Sequence, residues 1–155
     1  MKKTLYILFL LLFIASCTNT IIEEEGSINA YFCHNNPCEE IFLQTIKDSK
    51  KLRCAFYDLQ LPSIQKTLKE KDAEVLVYEN PHKEFTKVRS YGLMHHKFCI
   101  IDNDRVITGS MNPTHRGVNH NDNVLLIIDS HTITKNFLQE FKQLQTRKKQ
   151  RTKRS

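Results

Sequence analysis

The sequence predicts an α/β fold in which a mixed, largely parallel sheet is flanked by helices. Through the first half of the chain, strand-like apolar runs alternate with amphipathic helical segments in the order β-α-β-α-β, a pattern typical of layered α/β domains. Hydrophobic residues make up 40 % of the 155 residues, and glycine and proline number four each. This composition supports a packed core and argues against low-complexity disorder, and the length suits one compact domain.

The first half of the predicted domain contains three strands and two helices. Strands are predicted at 27–33, 52–59 and 73–78, where apolar residues cluster. Helices begin at Pro37 and Pro62, because proline suits the first turn of a helix. Each helix therefore connects two strands and is expected to pack against the sheet.

The second half adds a hairpin, a further strand and a closing helix. After a polar loop, strands at 97–101 and 105–108 are joined by Asp102-Asn103-Asp104, residue types that favour tight turns. A second loop precedes a strand at 124–128. An amphipathic helix from about Ser130 to Thr146 closes the predicted domain.

The amino-terminal residues are typical of an export signal. Lys2 and Lys3 precede an unbroken apolar run, Leu5–Ala15, which is short for a transmembrane helix. The segment Ile14-Ala15-Ser16-Cys17 resembles a prokaryotic lipobox, in which small residues precede a lipidated cysteine. The sequence therefore predicts lipidation at Cys17, and several acyl chains would anchor the protein durably to a membrane.

The predicted organisation has four parts: a lipoprotein-type export signal at 1–16, a lipidated tether at 17–27, a single domain at 28–146 and a basic tail at 147–155. Such a protein would be membrane-anchored and extracytoplasmic. An ordinary secretory signal with an incidental Cys17 is the alternative, and it would leave the protein secreted or periplasmic.

The positive charge of the chain lies at its two ends. The formal net charge is +6, but residues 17–146 contain fifteen basic and seventeen acidic residues, a balance of −2. The tail from Arg147 holds six basic residues and no acidic one. This tail either attracts polyanions, such as nucleic acid or anionic lipid headgroups, or is a solvated end.

Four cysteines follow the export signal. Cys33 and Cys38 could close a small disulfide loop, which export would permit, and the sequence leaves their pairing open. Cys54 and Cys99 lie in apolar strand-like runs and are predicted to be buried thiols that pack as small hydrophobic residues. A zinc site with His34 beside Cys33 is disfavoured, because no second Cys/His pair has matching spacing.

The residues with the clearest chemical meaning form the pattern HxK(x)4D(x)6GSxN, which starts at His95. His95 and Lys97 lie two apart on a predicted strand and should face the same side. The hairpin would bring Ser110 and Asn112 back beside them. An imidazole, a cation and two neutral polar groups make a plausible cradle for a phosphate ester without any metal.

This pattern resembles the HKD signature of the phospholipase D superfamily at every fixed position, including the GSxN extension. Tyr31-Phe32-Cys33, the context Met94-His95-His96-Lys97-Phe98 and the closing strand and helix are similar to the small, single-motif branch, with bacterial endonucleases and the Zucchini/mitochondrial cardiolipin hydrolase group. The resemblance covers about residues 28–145 and implies a phospholipase D-like fold.

The resemblance implies a metal-independent phosphodiesterase with no cofactor. Single-motif members pair two chains, so a homodimer with the active site at its interface is expected. One copy of His95 would attack phosphorus and form a phosphohistidine, while the other would protonate the leaving oxygen. Lys97 and Asn112 of both chains would hold the non-bridging oxygens, and Ser110 would either support the phosphate or orient a neighbouring residue.

Two acidic residues are further candidates. The family places an acidic residue, usually Glu, shortly after the GSxN loop to orient the histidine. Asp122, followed by Asn123, occupies the matching place here, although its side chain is one methylene shorter. Asp102 completes the HKD motif, but its place at a turn predicts that it braces the structure rather than touches substrate.

Basic residues on predicted loops are candidates for binding a phosphate chain. They are Lys83, Lys87, Arg89 and Arg116. His96 is expected to pack in the core on the opposite face of the sheet, and Tyr91 is the single candidate for base stacking.

Three functions remain open. A nuclease acting on single-stranded or non-specific DNA or RNA is favoured by the small architecture and the basic residues. A phospholipase acting on membrane phospholipids is favoured by the predicted lipid anchor. A catalytically silent, membrane-tethered nucleic-acid binder would keep the fold without the chemistry.

Overall fold

A computed structural model describes residues 26–79, 82–90 and 92–151, with side chains described as far as Arg147. The predicted export signal, Cys17, most of the tether, Tyr91 and the last four residues lie outside the described residues. Within the described ranges, no helix is both long and apolar enough to cross a membrane.

The described chain contains seven strands and four helices. In chain order they are β1 Ser27–Phe32, α1 Cys38–Ile46, β2 Leu52–Phe56, α2 Pro62–Glu70, β3 Glu74–Val77, β4 Thr86–Lys87, β5 Lys97–Ile101, β6 Arg105–Gly109, α3 His115–Asn119, β7 Val124–Asp129 and α4 His131–Arg151.

Two short elements were not predicted, and one helix is longer than predicted. The two-residue strand β4 lies in the polar loop after β3, and the helix α3 lies in the loop after β6. Thr114 caps α3, since its hydroxyl accepts the N–H of Gly117 at 3.0 Å. The helix α4 continues to Arg151, beyond its predicted end at Thr146.

The sheet is mixed, with strand order β1-β7-β6-β5-β2-β3-β4. The α/β class and the mixed sheet are confirmed, but the prediction of a largely parallel sheet is wrong. Among the described strands, only the β2–β3 and β3–β4 pairs are parallel, and the other four pairs are antiparallel. The short connection from β5 to β6 produces an antiparallel pair, and β1 crosses the sheet to pair with β7 rather than with β2.

The sheet separates two apolar layers. On one face, α1 and α2 bury Phe42, Ile46, Ile64 and Leu68 against the strands. On the other face, α4 packs Phe141 and Leu144 against β2, β5 and β6. The polar ends of the central strands are therefore left at the rim of the sheet, between the two layers.

The four described cysteines form two disulfides. Cys33 and Cys38, whose pairing the sequence left open, are bonded across the turn between β1 and α1. The prediction of free thiols at Cys54 and Cys99 is wrong, because these residues are directly opposite on β2 and β5 and are joined. Their predicted burial is correct, since both are fully buried.

Candidate active site

The β5–β6 hairpin brings the HxK and GSxN segments together at one end of the sheet. Lys97 is the first residue of β5, and β6 ends at Gly109, next to the Phe98–Thr108 pair. Gly109 has φ +139°, and a Cβ there would lie 2.1 Å from the carbonyl oxygen of Val124. Only glycine fits this close approach, which lets the chain turn into Ser110.

Lys97 is the buried cation of the site. Its side chain curls back along the strand, and Nζ donates to the carbonyl oxygen of His95 at 2.8 Å. The residue is only 8 % exposed. Burial lowers the pKa of Lys97 to about 8, so the ammonium is still mostly protonated at neutral pH. An ammonium has three N–H donors, and two remain for an anionic ligand, since no other described residue accepts from Nζ.

His95 lies just before β5 and is exposed at the rim. The pKa of His95 is lowered below its ordinary value, first by desolvation and then by the charges of Lys97 and His96. A lowered pKa keeps the imidazole neutral at neutral pH, as a nucleophile or base requires.

Ser110 is held by β7 rather than directed freely into solvent. Its hydroxyl donates to Oδ1 of Asn123 at 2.9 Å and accepts the N–H of Val124 at 3.0 Å. The amide of Asn123 in turn donates to the carbonyl oxygen of Gly117 at 2.9 Å. Ser110 and Asn123 therefore join the loop after β6 to the start of β7.

Asn112 carries a buried oxygen without a partner. Its Oδ1 is inaccessible to solvent, and no described residue donates a hydrogen bond to it. A second such oxygen, Oδ1 of Asp58, lies in the loop after β2, whose residue Gln60 donates to the carbonyl oxygen of Pro113. Unsatisfied buried polar atoms are uncommon in folded proteins and often mark functional sites.

Neither acidic candidate, Asp102 or Asp122, forms a hydrogen bond or ion pair with the side chains of His95, Lys97, Ser110 or Asn112. Asp102 lies at the opposite end of β5, where its Oδ1 accepts the N–H groups of Lys50 and Lys51 at 2.9 and 2.7 Å. Asp102 therefore braces the turn, and these contacts are away from Lys97, so a catalytic role for Asp102 stays a prediction. Asp122 is exposed and makes no hydrogen bond or ion pair with any described residue, so its predicted role in orienting His95 has no contact here.

The basic candidates are dispersed along the same end of the sheet. Lys87 is in register with Val77, Phe56 and Lys97, so it lies three strand spacings, about 14 Å, from Lys97. Arg89 follows β4 and is exposed, and Arg116 is exposed on α3.

His96 faces away from the site, as predicted, but it is not in the core. Its side chain is 43 % exposed, and Nε2 lies 3.2 Å from Oε1 of Glu140 on α4. The prediction of core packing is wrong because α4 offers an acidic partner at the margin of the apolar layer.

Sequence reasoning missed one aromatic residue beside the site. Tyr57 follows β2, and its ring centroid is 4.9 Å from that of His95 and 5.3 Å from Nζ of Lys97. No local pattern points to Tyr57, because its place depends on β2 pairing with β5, forty residues later in the chain. The sequence marks Asn123 only as part of the family pattern, and no local signal predicts its hydrogen bond to Ser110.

The matched sequence family agrees with this fold. Residues 40–145 match the family described as cardiolipin synthase, PLD-like domain. The chain belongs to this phospholipase D-like family, and its mixed α/β fold is the phospholipase D fold.

Three known proteins show how far the likeness extends. The mitochondrial cardiolipin hydrolase of Xenopus tropicalis is 43 % identical over 56 residues, which are 36 % of this chain and 27 % of that protein. The chain thus spans about a quarter of the length of this curated relative. The phospholipase D family member Nuc from Salmonella typhimurium has a TM-score of 0.69 at 20 % identity, covering 79 % of this chain and 96 % of Nuc. NucT from Helicobacter pylori has a TM-score of 0.66 at 17 % identity, covering 79 % and 97 %.

Proposed function

We propose that this protein is a phosphodiesterase that works through a phosphohistidine at His95, without a metal, and that its substrate is single-stranded or non-specific nucleic acid. The observation that carries the proposal is the pairing of an exposed His95, whose pKa is lowered, with the buried and still protonated Lys97. A neutral nucleophile beside a fixed cation suits attack on a phosphodiester anion.

The proposed reaction has two steps. An imidazole nitrogen of one His95 attacks phosphorus, a P–N bond forms, and the P–O bond to the leaving group breaks. The His95 of a second chain gives its proton to the leaving oxygen and then takes a proton from water. That water oxygen attacks phosphorus, and the P–N bond breaks to release the free imidazole. Lys97 offsets the charge that collects on the non-bridging oxygens.

A homodimer is part of this proposal, because one chain supplies only one His95. The strand β1 offers an apolar surface for the second copy. Ile28 and Phe32 face one side of this edge strand and are 64 % and 62 % exposed. On that face of the sheet, α4 packs against β2, β5 and β6 and covers the central strands. The side chains of the edge strand β1 are therefore left exposed.

Basic side chains favour nucleic acid as the substrate. Lys87, Arg89 and Arg116 are exposed at the end of the sheet that holds Lys97. Cations dispersed along one end of a sheet can contact several phosphates of one nucleic-acid strand. One observation favours phospholipid instead, because Leu93, two residues before His95, is 59 % exposed.

Lipid attachment at Cys17, with the domain on the extracytoplasmic side, is proposed for either substrate.

The test offers both substrates to the full chain in mild detergent with excess EDTA. Fluorescent single-stranded DNA and cardiolipin-containing vesicles are compared for the parent, His95→Ala and His96→Ala. His96 is the matched control, since it is the adjacent histidine on the other side of the strand. The proposal predicts DNA cleavage by the parent and by His96→Ala but not by His95→Ala.

Other results would change the assignment in distinct ways. Cleavage of the vesicle lipid alone, still lost in His95→Ala, would make the protein a phospholipase. Binding of DNA by a folded, dimeric parent that cleaves neither substrate would contradict the proposed phosphodiesterase activity. The protein would then be a catalytically silent nucleic-acid binder.

A further inference from the structure

The ring of Tyr57 contacts both central residues of the candidate active site. It is inclined at 60° to the imidazole of His95, with centroids 4.9 Å apart, and Nζ of Lys97 lies 5.3 Å from its centroid. An ammonium at this distance from a ring is attracted to the ring's π electrons. No other described aromatic ring has contacts with both residues.

Backbone hydrogen bonds on both sides hold Tyr57 in place. Its N–H donates to the carbonyl oxygen of His96 at 2.7 Å, and its carbonyl oxygen accepts the N–H of Glu79 at 2.7 Å. Tyr78 stacks on it with centroids 6.0 Å apart and an angle of 23°. The two backbone bonds thus fix Tyr57 between the chain that follows β3 and the residue that precedes β5.

The contacts of Tyr57 are made by its ring and not by its hydroxyl. The hydroxyl forms no hydrogen bond with any described residue. Phenylalanine would therefore keep every contact, and leucine would lose the π surface and the planar support while keeping an apolar side chain.

We propose that Tyr57 is a positioning residue that holds the His95 imidazole and the Lys97 ammonium in their working arrangement. The inference rests on the proposed phosphodiesterase function. His95 is exposed and would otherwise sample several rotamers, so the ring reduces the entropy lost when the imidazole aligns with phosphorus. Tyr57 itself does not touch the substrate's reacting atoms.

The experiment compares Tyr57→Leu, Tyr57→Phe and Tyr78→Leu in the full chain. Tyr78 is the matched control, because it stacks on Tyr57 but has no ring contact with His95 or Lys97. Side-chain NMR signals of His95 report the ring contact without any need for turnover. Steady-state kinetics on fluorescent single-stranded DNA then separate kcat from KM.

The expected result is a clear change in the His95 signals of Tyr57→Leu, with kcat lowered about tenfold and KM changed less than about threefold. Tyr57→Phe should match the parent, and Tyr78→Leu should keep kcat within about threefold. A purely structural role would lower the melting temperature in both leucine variants and reduce their kcat alike, which would overturn the proposal.

Three further outcomes are informative. Unchanged His95 signals and kcat in Tyr57→Leu would also overturn it. If Tyr57→Leu does not fold, the phenylalanine variant remains informative, because a tenfold loss there would assign the role to the hydroxyl instead of the ring. If the parent cleaves nothing, the proposed function fails, while the His95 signals still decide whether Tyr57 holds the imidazole.

Discussion

Loss of hydration lowers the pKa values of the two central side chains of the site. Lys97 is almost enclosed, and the loss of hydration lowers its pKa to about 8. His95 is exposed, yet desolvation together with the neighbouring charges of Lys97 and His96 also lowers its pKa. The lowered pKa of His95 keeps the attacking imidazole neutral near neutral pH. The pKa of Lys97 is lowered as well, but at about 8 it still leaves the ammonium mostly charged there.

The pH dependence of kcat/KM follows from these two residues. On the alkaline side, activity should fall for two reasons: the His95 that protonates the leaving oxygen loses its proton, and Lys97 loses its charge as the pH rises through about 8. At low pH, protonation of the attacking His95 removes the nucleophile, so activity should also fall, below the ordinary histidine pKa. A pH–rate profile measured for the free enzyme checks both limbs.

The variant Lys97→Arg serves as the control for the alkaline limb. Arginine stays charged throughout, so any residual activity should decline at a higher pH than in the parent. A parent profile that stays flat from about pH 7 to about pH 10 would show that Lys97 does not act as a charged group.

The hairpin of β5 and β6 was predictable in detail because its signals are local. Asp102 and Asn103 have φ of 52° and 67°, and the N–H of Asp104 donates to the carbonyl oxygen of Ile101. A turn with this geometry needs residues that tolerate positive φ, which aspartate and asparagine do. The turn therefore sets the register of β5 and β6 and brings the GSxN segment back to the site.

The neighbours of that hairpin could not be predicted in the same way. The pairing of β2 with β5 joins segments forty residues apart, and it creates both the Cys54–Cys99 disulfide and the place of Tyr57. The pattern of strands and helices also does not say that β1 pairs with β7 at the far edge. Periodicity predicts that elements exist, whereas their order in the sheet depends on long-range packing.

The turn leads to a prediction about stability. In Asp102→Ala the N–H groups of Lys50 and Lys51 lose their acceptor, and alanine is strained at φ 52°. Because the site is exposed, the free energy of unfolding should fall by about 1–2 kcal/mol, measured by chemical denaturation. Turnover per folded molecule should not change.

Asp102→Asn is the matched variant, because it keeps an acceptor oxygen and tolerates positive φ. It should recover most of the lost stability. If folded Asp102→Asn lost turnover as completely as His95→Ala, Asp102 would have to be counted among the catalytic residues.

In the described part of the chain, one end of the exposed strand β1 lies beside the candidate site. Phe32 ends β1 opposite Val124, the residue whose N–H binds Ser110. The proposed interface therefore begins close to the candidate site, where the proposed reaction requires the His95 of a second chain. A dimer formed there would bury apolar surface and complete the reaction at the same time.

The interface is tested by Ile28→Ser combined with Phe32→Ser. Both side chains are exposed, so the fold should tolerate the changes, while the dimer should dissociate at lower concentration in sedimentation velocity experiments. Turnover should fall in parallel as monomer accumulates. Lys66→Ser, on the exposed side of α2, is the control and should do neither.

A dimer that persists unchanged in the double variant would place the interface elsewhere on the chain. A monomeric parent with full turnover would contradict the two-histidine reaction itself.

Capture of the covalent intermediate tests the central claim most directly. Full-length protein is mixed with excess single-stranded DNA in EDTA, quenched in alkali, where a phosphohistidine survives, and digested for mass spectrometry. A phosphohistidine at His95 predicts a phosphate-linked nucleotide adduct on the peptide that contains His95, with none in His95→Ala and the same amount in His96→Ala. Rapid DNA cleavage by the parent without an adduct on that peptide, or with an adduct on another residue, would contradict it.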